Sequence, residues 1–488
     1  MAHQCQNVWM STETSATGEH RAPAEHEHAP GGERWRSPDS VAQRLEAGRR
    51  LRSRLPRRAL GSIATVRRDP LRILEEQNSN RLQHLLPLRV ERMSQSPFAF
   101  YRGTAAIMAA DLAADEHSEI LVPSCGDAHI SNFGFYASPQ RTLVFDLNDF
   151  DEAAWGPWEW DLKRMIASVV IAGQATARDE STIRGAVLTS VRAYARALRV
   201  SAGLSPRDRF YTHLDAEAGL DGLHEESQRV LRRAIRQARK RTGERAARKL
   251  TVTDDNGRMR FVVTPPTMSE LEPEIKHRVP ALLHRYLETA SSDIELLMRH
   301  YALSDVVRRV VGVGSVGTRC ALSLMQDGDG NALLLQSKEA NRSVLEQYGG
   351  IPQPRILLDT IAAHGQGARV VGLQRILQAV SDPFLGYLRF DERDLYVRQF
   401  HDMKGGIEAE ELEDEPFVTY AQACAVTLAR AHSQSPLSPL ISGYIGGGRT
   451  LGAVLLDWGY AYAEVSRGDY ELFGAAHSGA PGTPPPLG

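Results

Sequence analysis

Hydrophobic and polar residues follow a helical pattern over much of this chain, and a strand pattern takes over near residue 305. The segment 161–172 ends in the mostly apolar run 166–172 and is typical of a core helix, and 103–114 consists of strong helix formers without an internal breaker. From 306 onward, short β-branched and apolar runs alternate with turn residues. The pattern therefore predicts the α+β class, with a large helical part and a smaller antiparallel β part.

Individual elements are assigned on the same basis. We predict helices at 50–91, 103–114, 161–172, 355–380 and 417–432 and through most of 180–300, and strands at 120–122, 142–145, 306–311, 320–326, 332–336, 385–390 and 395–400. Asp327, Asp329 and Asn331 look like the start of a calcium loop, but the sixth position is Ala332 rather than Gly and the twelfth is Lys338 rather than Glu. We therefore interpret them as a hairpin turn.

Composition and charge narrow the classes of function. The chain has 488 residues, enough for two or three domains, and its formal net charge of -2 argues against broad electrostatic binding to nucleic acid. No apolar run is long enough to span a bilayer, and the first part of the chain lacks the apolar core of a signal peptide. The four cysteines are widely separated. We therefore expect a cytoplasmic protein that binds neither nucleic acid nor membrane.

The segment 126–161 carries the candidate chemistry. Asp127 follows a short strand, Asn132 comes five residues later, and Asp149 follows the next strand. Phosphoryl transfer needs a loop Asp that orients the acceptor hydroxyl, together with an amide oxygen and a second carboxylate that hold Mg²⁺. Turn chemistry alone accounts for one or two such residues, but not for their order around a strand. The segment therefore predicts a phosphotransferase site.

The loop Gly126-Asp127-Ala128-His129 also has a second interpretation. It is similar to the metal-binding loops of binuclear phosphoesterases, which makes a metal-dependent phosphoesterase a distant alternative. Such sites need several further His ligands, and none follows in a suitable loop. We expect His129 to pack or hydrogen-bond within the loop. His26 and His28 lie in a polar tail without a packed scaffold, and we interpret them as incidental.

A second candidate segment, from Gly312 to Gly317, fits the pattern GxGxxG. In a dinucleotide-binding fold these glycines open a helix, whereas here a strand, a turn and another strand follow. Glycines between two antiparallel strands are typical of a loop that covers phosphates, and the strand after the turn ends at Lys338, where a kinase keeps a phosphate-contacting lysine. Gly312, Gly314, Gly317 and Lys338 are therefore predicted to bind nucleotide.

The segment 229–249 is rich in Arg and Lys. Because no aromatic residues are interleaved, we interpret it as the solvated face of a helix, and a phosphate or nucleic-acid patch is the alternative.

Most of the chain, from about residue 68 to 469, resembles the bacterial family called domain of unknown function 2252. The motifs that carry this resemblance are Arg92-Met93, Ser96-Pro97-Phe98, Tyr101-Arg102-Gly103, the 126–132 loop, 145–152, 156–161, Lys338-Glu339-Ala340, Gln374-Arg375, Ser381-Asp382 and Asp402-Met403-Lys404. The family name implies no activity.

The 126–161 segment is also similar to aminoglycoside-phosphotransferase-like kinases. Their pattern of Gly-Asp, four residues, Asn, then Asp-Phe-Asp-Asp-Ala, Gly-Pro and a helix-starting Asp matches Gly126, Asp127, Asn132, 149–153, 156–157 and Asp161. The resemblance implies that Asp127 is the catalytic base or orients the acceptor, and that Asn132 and Asp149 are magnesium ligands. It also implies that Asp161 braces the catalytic loop, with Asp146 and Asp151 as rival or auxiliary ligands or as structural residues. The implied cofactors are ATP and Mg²⁺, and the acceptor is a hydroxyl of an unidentified small molecule or protein.

The order of these segments differs from that of a kinase, in which the glycine loop and the lysine precede the catalytic loop. We infer a circularly permuted, two-lobe protein-kinase-like fold, because permutation is tolerated when chain ends lie close together. The predicted parts are disordered tails at 1–45 and 475–488, the catalytic part of the large lobe at 46–200, its helical segment at 201–304, a small nucleotide-clamping β lobe at 305–404 and closing helices at 405–474. A kinase lysine normally pairs with a helix Glu, and Glu346 is the predicted partner of Lys338.

Two further interpretations stay open. A pseudokinase would bind nucleotide or a partner without transfer, although intact Asp127, Asn132, Asp149 and Lys338 argue against it. A kinase-fold enzyme that moves AMP rather than phosphate onto protein side chains is the other.

Overall fold

The first helix begins at Val41 and the last ends at His477, so both predicted tails extend too far into the folded chain. The computed structural model describes residues 37–64, 68–216, 219, 222–310, 312, 314–400 and 403–478. Most of both tails, including His26 and His28, lies outside the described residues. The described residues from Ser40 onward belong to one compact unit.

Five helices precede the first strand within the described residues. They are α1 (Val41–Arg54), α2 (Pro70–Ser79), α3 (Leu86–Met93), α4 (Pro97–Arg102) and α5 (Ala105–Ala113). The side chains of Ser40, Asp69 and Ser96 accept a backbone hydrogen bond in the first turn of α1, α2 and α4. Proline at the first position of α2 and α4 suits a helix start, because its missing N–H has no partner there anyway. The helical character predicted for 50–91 and 103–114 is confirmed.

Four short strands and one long helix hold the candidate site segment. They are β1 (Leu121–Ser124), β2 (Phe133–Ala137), β3 (Leu143–Leu147), β4 (Ala154–Pro157) and α6 (Trp158–Ala175). β1 pairs with β4 and β2 pairs with β3, both antiparallel, with Ser124 opposite Ala154 and Phe133 opposite Leu147. Each of these pairs is the last in its ladder. The loop 125–132 joins β1 to β2 and the loop 148–153 joins β3 to β4, so the two loops begin and end next to each other. Two of these strands, β2 and β4, were not predicted.

The next segment is mostly helical, as predicted, but it also contributes three short strands. Its elements are α7 (Glu180–Ala202), α8 (Pro206–Tyr211), α9 (Glu225–Arg239), α10 (Gly243–Leu250), β5 (Thr251–Thr253), β6 (Met259–Phe261), β7 (Met268–Glu270), α11 (Pro273–Leu287) and α12 (Ser292–Met298). β5 and β6 form a hairpin, whereas β7 pairs with the strand that follows α12. The lobe boundary predicted at 304 therefore separates β7 from the sheet to which it belongs.

In the described part of the chain, a six-stranded antiparallel sheet carries Lys338. Its other strands and the helices between them are β8 (Ala302–Arg309), β9 (Cys320–Gln326), β10 (Ala332–Glu339), α13 (Val344–Gln347), α14 (Arg355–His364), α15 (Gln366–Leu377), β11 (Gly386–Phe390) and β12 (Arg393–Gln399). The strand order is β11-β12-β10-β9-β8-β7. Asp327 accepts hydrogen bonds from the backbone N–H groups of Asp329 and Asn331, which makes the β9–β10 connection a hairpin turn, as predicted.

The remaining elements return the chain to the helical part. They are β13 (Gly405–Gly406), α16 (Asp414–His432), α17 (Ser438–Ile445) and α18 (Arg449–His477). β13 pairs with β2, while α16 packs on α7, and α18 on α6 and α7, around a core that includes Trp158 and Trp458. None of the helices in the described ranges combines the length and the apolar character needed to cross a membrane. The protein is thus α+β, mostly helical with antiparallel sheets.

Candidate active site

Asp161, in the first turn of α6, fixes the backbone of the loop 125–132. Its carboxylate oxygens accept hydrogen bonds from the backbone N–H groups of Cys125, at 2.8 Å, and Gly126, at 3.0 Å. His432 on α16 lies behind it, with Nε2 3.2 Å from Oδ2. The carboxylate is buried, so these contacts replace water and hold the loop in one conformation. The bracing contact predicted for Asp161 is present.

Gly126 allows the two loops to touch. Its φ is +77°, in the left-handed region, and a Cβ atom here would lie 2.2 Å from the carbonyl oxygen of Glu152. Any side chain would therefore push the loop 125–132 away from the loop 148–153.

Asp127 lines the cleft between the loops and is held by a buried cation. Its Oδ1 accepts a 2.8 Å hydrogen bond from Nε of Arg164 on α6, and its Oδ2 lies 3.7 Å from Nε2 of His129. Arg164 donates to the carbonyl oxygen of Tyr101 and stacks 3.9 Å from the centre of that ring. Burial raises the pKa of Asp127, and Arg164 opposes that rise by favouring the charged form. Asp127 is thus rigidly oriented.

Asn132 uses its amide nitrogen within the loop. Nδ2 donates a 2.7 Å hydrogen bond to the carbonyl oxygen of Asp127, and the backbone oxygen of Asn132 accepts from the N–H of Asn148 at 2.9 Å. Since the nitrogen is engaged, the amide oxygen is the side-chain atom left for a ligand. Asp127, Asn132 and Asp149 line the same cleft.

Lys338, near the end of β10, lies against the acidic loop 148–153. Its Nζ is 3.5 Å from Oδ1 of Asp149 and 2.5 Å from Oδ2 of Asp151. Burial works to raise the pKa of Asp149, but the positive charges of Lys338, Arg398 and Lys404 outweigh it and lower that pKa to about 2. Asp149 is therefore ionised at neutral pH.

Asp151 is held by two further groups. The hydroxyl of Tyr396 on β12 donates to its Oδ1 at 2.5 Å, and Arg369 on α15 donates to its backbone oxygen at 2.9 Å. Arg369 also donates to the carbonyl oxygen of Asn341 at 2.7 Å, so it joins the loop 148–153 to the chain just after β10. Because both carboxylate oxygens of Asp151 are engaged, Asp149 is the better placed of the two to hold a cation.

The structure overturns the predicted partner of Lys338 and separates the alternatives for Asp146. Glu346 pairs with Arg342, four residues earlier, at 2.8 Å instead of with Lys338. The helix after β10 is only one turn long, and the loop after β3 supplies the acidic partners in its place. Asp146 is buried, is not among the described residues that line the cleft, and accepts a 2.8 Å hydrogen bond from the N–H of Ala379, which favours the structural alternative.

The glycine segment joins the antiparallel strands β8 and β9, as predicted, and not a strand and a helix. Gly312 and Gly314 line the cleft, and Gly317 closes the segment with a φ of +87°. Nη1 of Arg92 donates to the carbonyl oxygen of Gly312 at 2.5 Å, and the N–H of Leu82 donates to that of Gly317 at 2.8 Å. The glycines and the acidic loops thus border one cleft.

The cleft has mixed charge. Its described lining includes the carboxylates of Glu76, Asp127, Asp149, Asp151, Glu152 and Glu339 and the guanidinium groups of Arg81, Arg102 and Arg342. Burial lowers the pKa of His129 well below its usual value, so this ring is neutral, and its Nδ1 and the Nε of Arg102 are buried without a hydrogen-bond partner. Unpartnered polar atoms beside ionised carboxylates suit a ligand that carries phosphate oxygens together with a metal cation.

Arg164, Arg369 and Tyr396 were missed by the sequence analysis. The two arginines had a usable signal, because each stands directly beside apolar residues of a predicted helix and is buried, where a charge needs a partner. Tyr396 had none, since a tyrosine in a strand is ordinary.

Comparison with known proteins adds a family. The model of a family described as "Uncharacterized protein conserved in bacteria (DUF2252)" matches residues 81–476. Neither the search of curated proteins nor the search of solved structures returned a match. Since the family match covers most of the chain, including both loops, the glycine segment and Lys338, this protein belongs to the DUF2252 family.

Proposed function

We propose that the protein is an ATP- and Mg²⁺-dependent phosphotransferase that moves the γ-phosphate to a hydroxyl of a small molecule or protein. The observation that carries the proposal is the 3.5 Å separation between Nζ of Lys338 and Oδ1 of Asp149, which lie 189 residues apart in sequence. Kinase-type transfer needs a lysine on the nucleotide phosphates and an Asp on their metal ion.

The donor set fits Mg²⁺, which prefers oxygen ligands. Asn132 has its amide nitrogen engaged with Asp127, and Asp149 has a pKa of about 2. The amide oxygen of Asn132 and the carboxylate of Asp149 would hold the ion. When bound, Mg²⁺ would neutralise the charge on the phosphate oxygens.

Asp127 would orient the acceptor hydroxyl. Arg164 holds Oδ1, so Oδ2 is the oxygen available to the acceptor. In transfer, a bond forms between the acceptor oxygen and the γ-phosphorus, and the bond from that phosphorus to the bridging oxygen of ADP breaks. The hydroxyl proton passes to Oδ2 of Asp127, and Lys338 would contact the phosphates.

We also propose that the six-stranded sheet and the helical part correspond to the two lobes of a kinase-like fold in circularly permuted order. Support comes from the order of elements within the sheet. β8, β9 and β10 form a meander with glycines at its first connection and Lys338 at its end, followed by helices and the β11–β12 hairpin.

The test uses the full-length protein with ATP labelled at the γ- or the α-phosphate, with and without Mg²⁺. We expect Mg²⁺-dependent transfer or release of the γ-label, and an Mg²⁺–ATP-dependent rise in melting temperature. Both should be lost in Asp149→Asn, while the matched control Asp329→Asn, in the exposed β9–β10 turn, should behave as wild type.

Other outcomes select the alternatives. Transfer of the α-label would replace the proposal with AMP transfer, and nucleotide binding without turnover of either label would indicate a pseudokinase. Hydrolysis of p-nitrophenyl phosphate with Mn²⁺ and no ATP would indicate a phosphoesterase. Full turnover in Asp149→Asn would refute the site assignment.

A further inference from the structure

A cavity of about 440 Å³ lies beside α10 and the six-stranded sheet, and the charged residues of its described lining are all cations. They are Lys240, Arg241, Arg245, Lys249 and Arg309. No carboxylate occurs among the described residues that line it. None of the five cations forms an ion pair within the described ranges. We call this space the α10 cavity.

Strand register places the α10 cavity on the same sheet face as Lys338. β8 and β9 pair with Arg308 opposite Ala321, which puts Arg309 opposite Cys320, and Cys320 lies opposite Lys338 on β10. Directly opposed residues of antiparallel strands point to the same face. Neighbouring strands are about 4.8 Å apart, so the Cα atoms of Arg309 and Lys338, two strands apart, are separated by about 10 Å. Arg309 of the α10 cavity and Lys338 thus occupy neighbouring positions on one face of the sheet.

Arg309 has unused donor capacity. Its Nε is buried without a hydrogen-bond partner, and its Nη1 reaches only the sulfur of Met268, at 3.9 Å. Arg309 is half-buried and lines the cavity, so its guanidinium donors are available to a ligand there, and phosphate oxygens satisfy such donors well. Ala246 and Leu250 supply an apolar wall next to these donors.

The remainder of the basic segment behaves differently. Arg233 and Arg236 on α9 are exposed and do not line the cavity, so the interpretation of a solvated helix face suits them. The cations of α10 share one concave space with Arg309 of the sheet, and a solvated face does not require that arrangement.

We propose that the α10 cavity binds the phosphate group of a small molecule that also occupies the cleft, supplied by the nucleotide or by a phosphorylated acceptor. The inference rests on the proposed phosphotransferase function for its link to the cleft. The phosphate site itself follows from the cavity alone.

The test is calorimetric titration of the full-length protein with inorganic tripolyphosphate in the absence of metal. Arg245→Gln/Lys249→Gln removes two cavity charges at exposed positions, and Arg233→Gln/Arg236→Gln removes the same charge from α9 outside the cavity. We expect the cavity variant to bind roughly tenfold more weakly than wild type, and the α9 variant to bind as wild type does. Equal weakening in both variants, or no binding by wild type at millimolar tripolyphosphate, would overturn the proposal.

Competition distinguishes the two phosphate sources, and either result agrees with the proposal. Displacement of tripolyphosphate by ATP identifies the nucleotide, whereas unchanged binding of pyrophosphate at saturating Mg²⁺–ATP identifies a phosphorylated acceptor. Asp149→Asn separates this proposal from the previous one, because it should lose Mg²⁺–ATP turnover and keep metal-free tripolyphosphate binding. The wild-type protein could also bind tripolyphosphate in a way that depends on the cavity residues and yet never turn over ATP. That result would reject the phosphotransferase proposal and support the phosphate site.

Discussion

Replacing Lys338 by methionine removes the positive charge that faces the acidic loop 148–153 while keeping a side chain of similar length. The ammonium group belongs to a side chain that is 2% exposed, and it lies 3.5 Å from Asp149 and 2.5 Å from Asp151. An effective dielectric of about 20 gives on the order of 5 kcal/mol for one such pair. Because the two carboxylates are 38% and 27% exposed, solvent screens part of this attraction. We therefore expect the free energy of unfolding to fall by about 2–4 kcal/mol.

Urea denaturation of Lys338→Met, Asp151→Asn and the double variant forms a double-mutant cycle. The double variant should lose less stability than the sum of the single variants, with a coupling energy of about 1–3 kcal/mol. Mg²⁺ should also raise the melting temperature of Lys338→Met more than that of wild type, because a bound cation replaces the lost charge. A coupling energy near zero, together with equal Mg²⁺ shifts, would refute this account of the cleft.

Three further predictions concern the loops. Gly126→Ala should destabilise the protein by about 3 kcal/mol or more in thermal denaturation, because its Cβ would meet the Glu152 carbonyl. The control Gly185→Ala in α7, where a Cβ would have nothing within 4 Å, should stabilise the protein by about 0.5–1 kcal/mol. Equal stability of the two variants would contradict this prediction. Arg164→Gln removes the cation that favours the charged form of Asp127, so the acid limb of the pH–rate profile should move upward by about one pH unit or more, and an unmoved limb would exclude the pairing role. Burial raises the pKa of Glu152 from 4.5 to about 7, so stability that is full below pH 4.5 should be lost as pH rises through 7, by at most about 3 kcal/mol. Glu152→Gln should flatten this slope in pH-dependent denaturation, and an unchanged slope would assign it to another group.

Helices and strands were predicted correctly where the residues of the element itself carry the pattern, and were missed where the element depends on a partner strand. α6 and β3 were predicted because their own residues are apolar and continuous, and both are buried. β2 and β4 contain Gly, and β4 also contains Pro, which disfavour strands. They are strands because β3 and β1 pair with them, and that pairing leaves little trace in a short segment.

The site shows the same division. Asp127, Asn132, Asp149 and Lys338 were identified by type and spacing. The first three line one cleft, and Lys338 contacts Asp149. The prediction that Glu346 pairs with Lys338 was wrong, because it required a long helix after β10. The kinase-like lobes and their permuted order stay a prediction.

Alone, the sequence determined which residue types stand in the loops between the apolar runs. The proposed roles of holding a cation, orienting a hydroxyl and contacting phosphate start from those types. Only the tertiary structure decided which groups meet. Lys338 pairs with Asp149 and Asp151, and Asp127 pairs with Arg164, while Arg309 shares a cavity with the cations of α10. The physical reason is the distance along the chain over which each kind of information acts. Local patterns report backbone preference and burial, whereas the partner of a buried charge depends on strand register and on contacts between residues far apart in the chain.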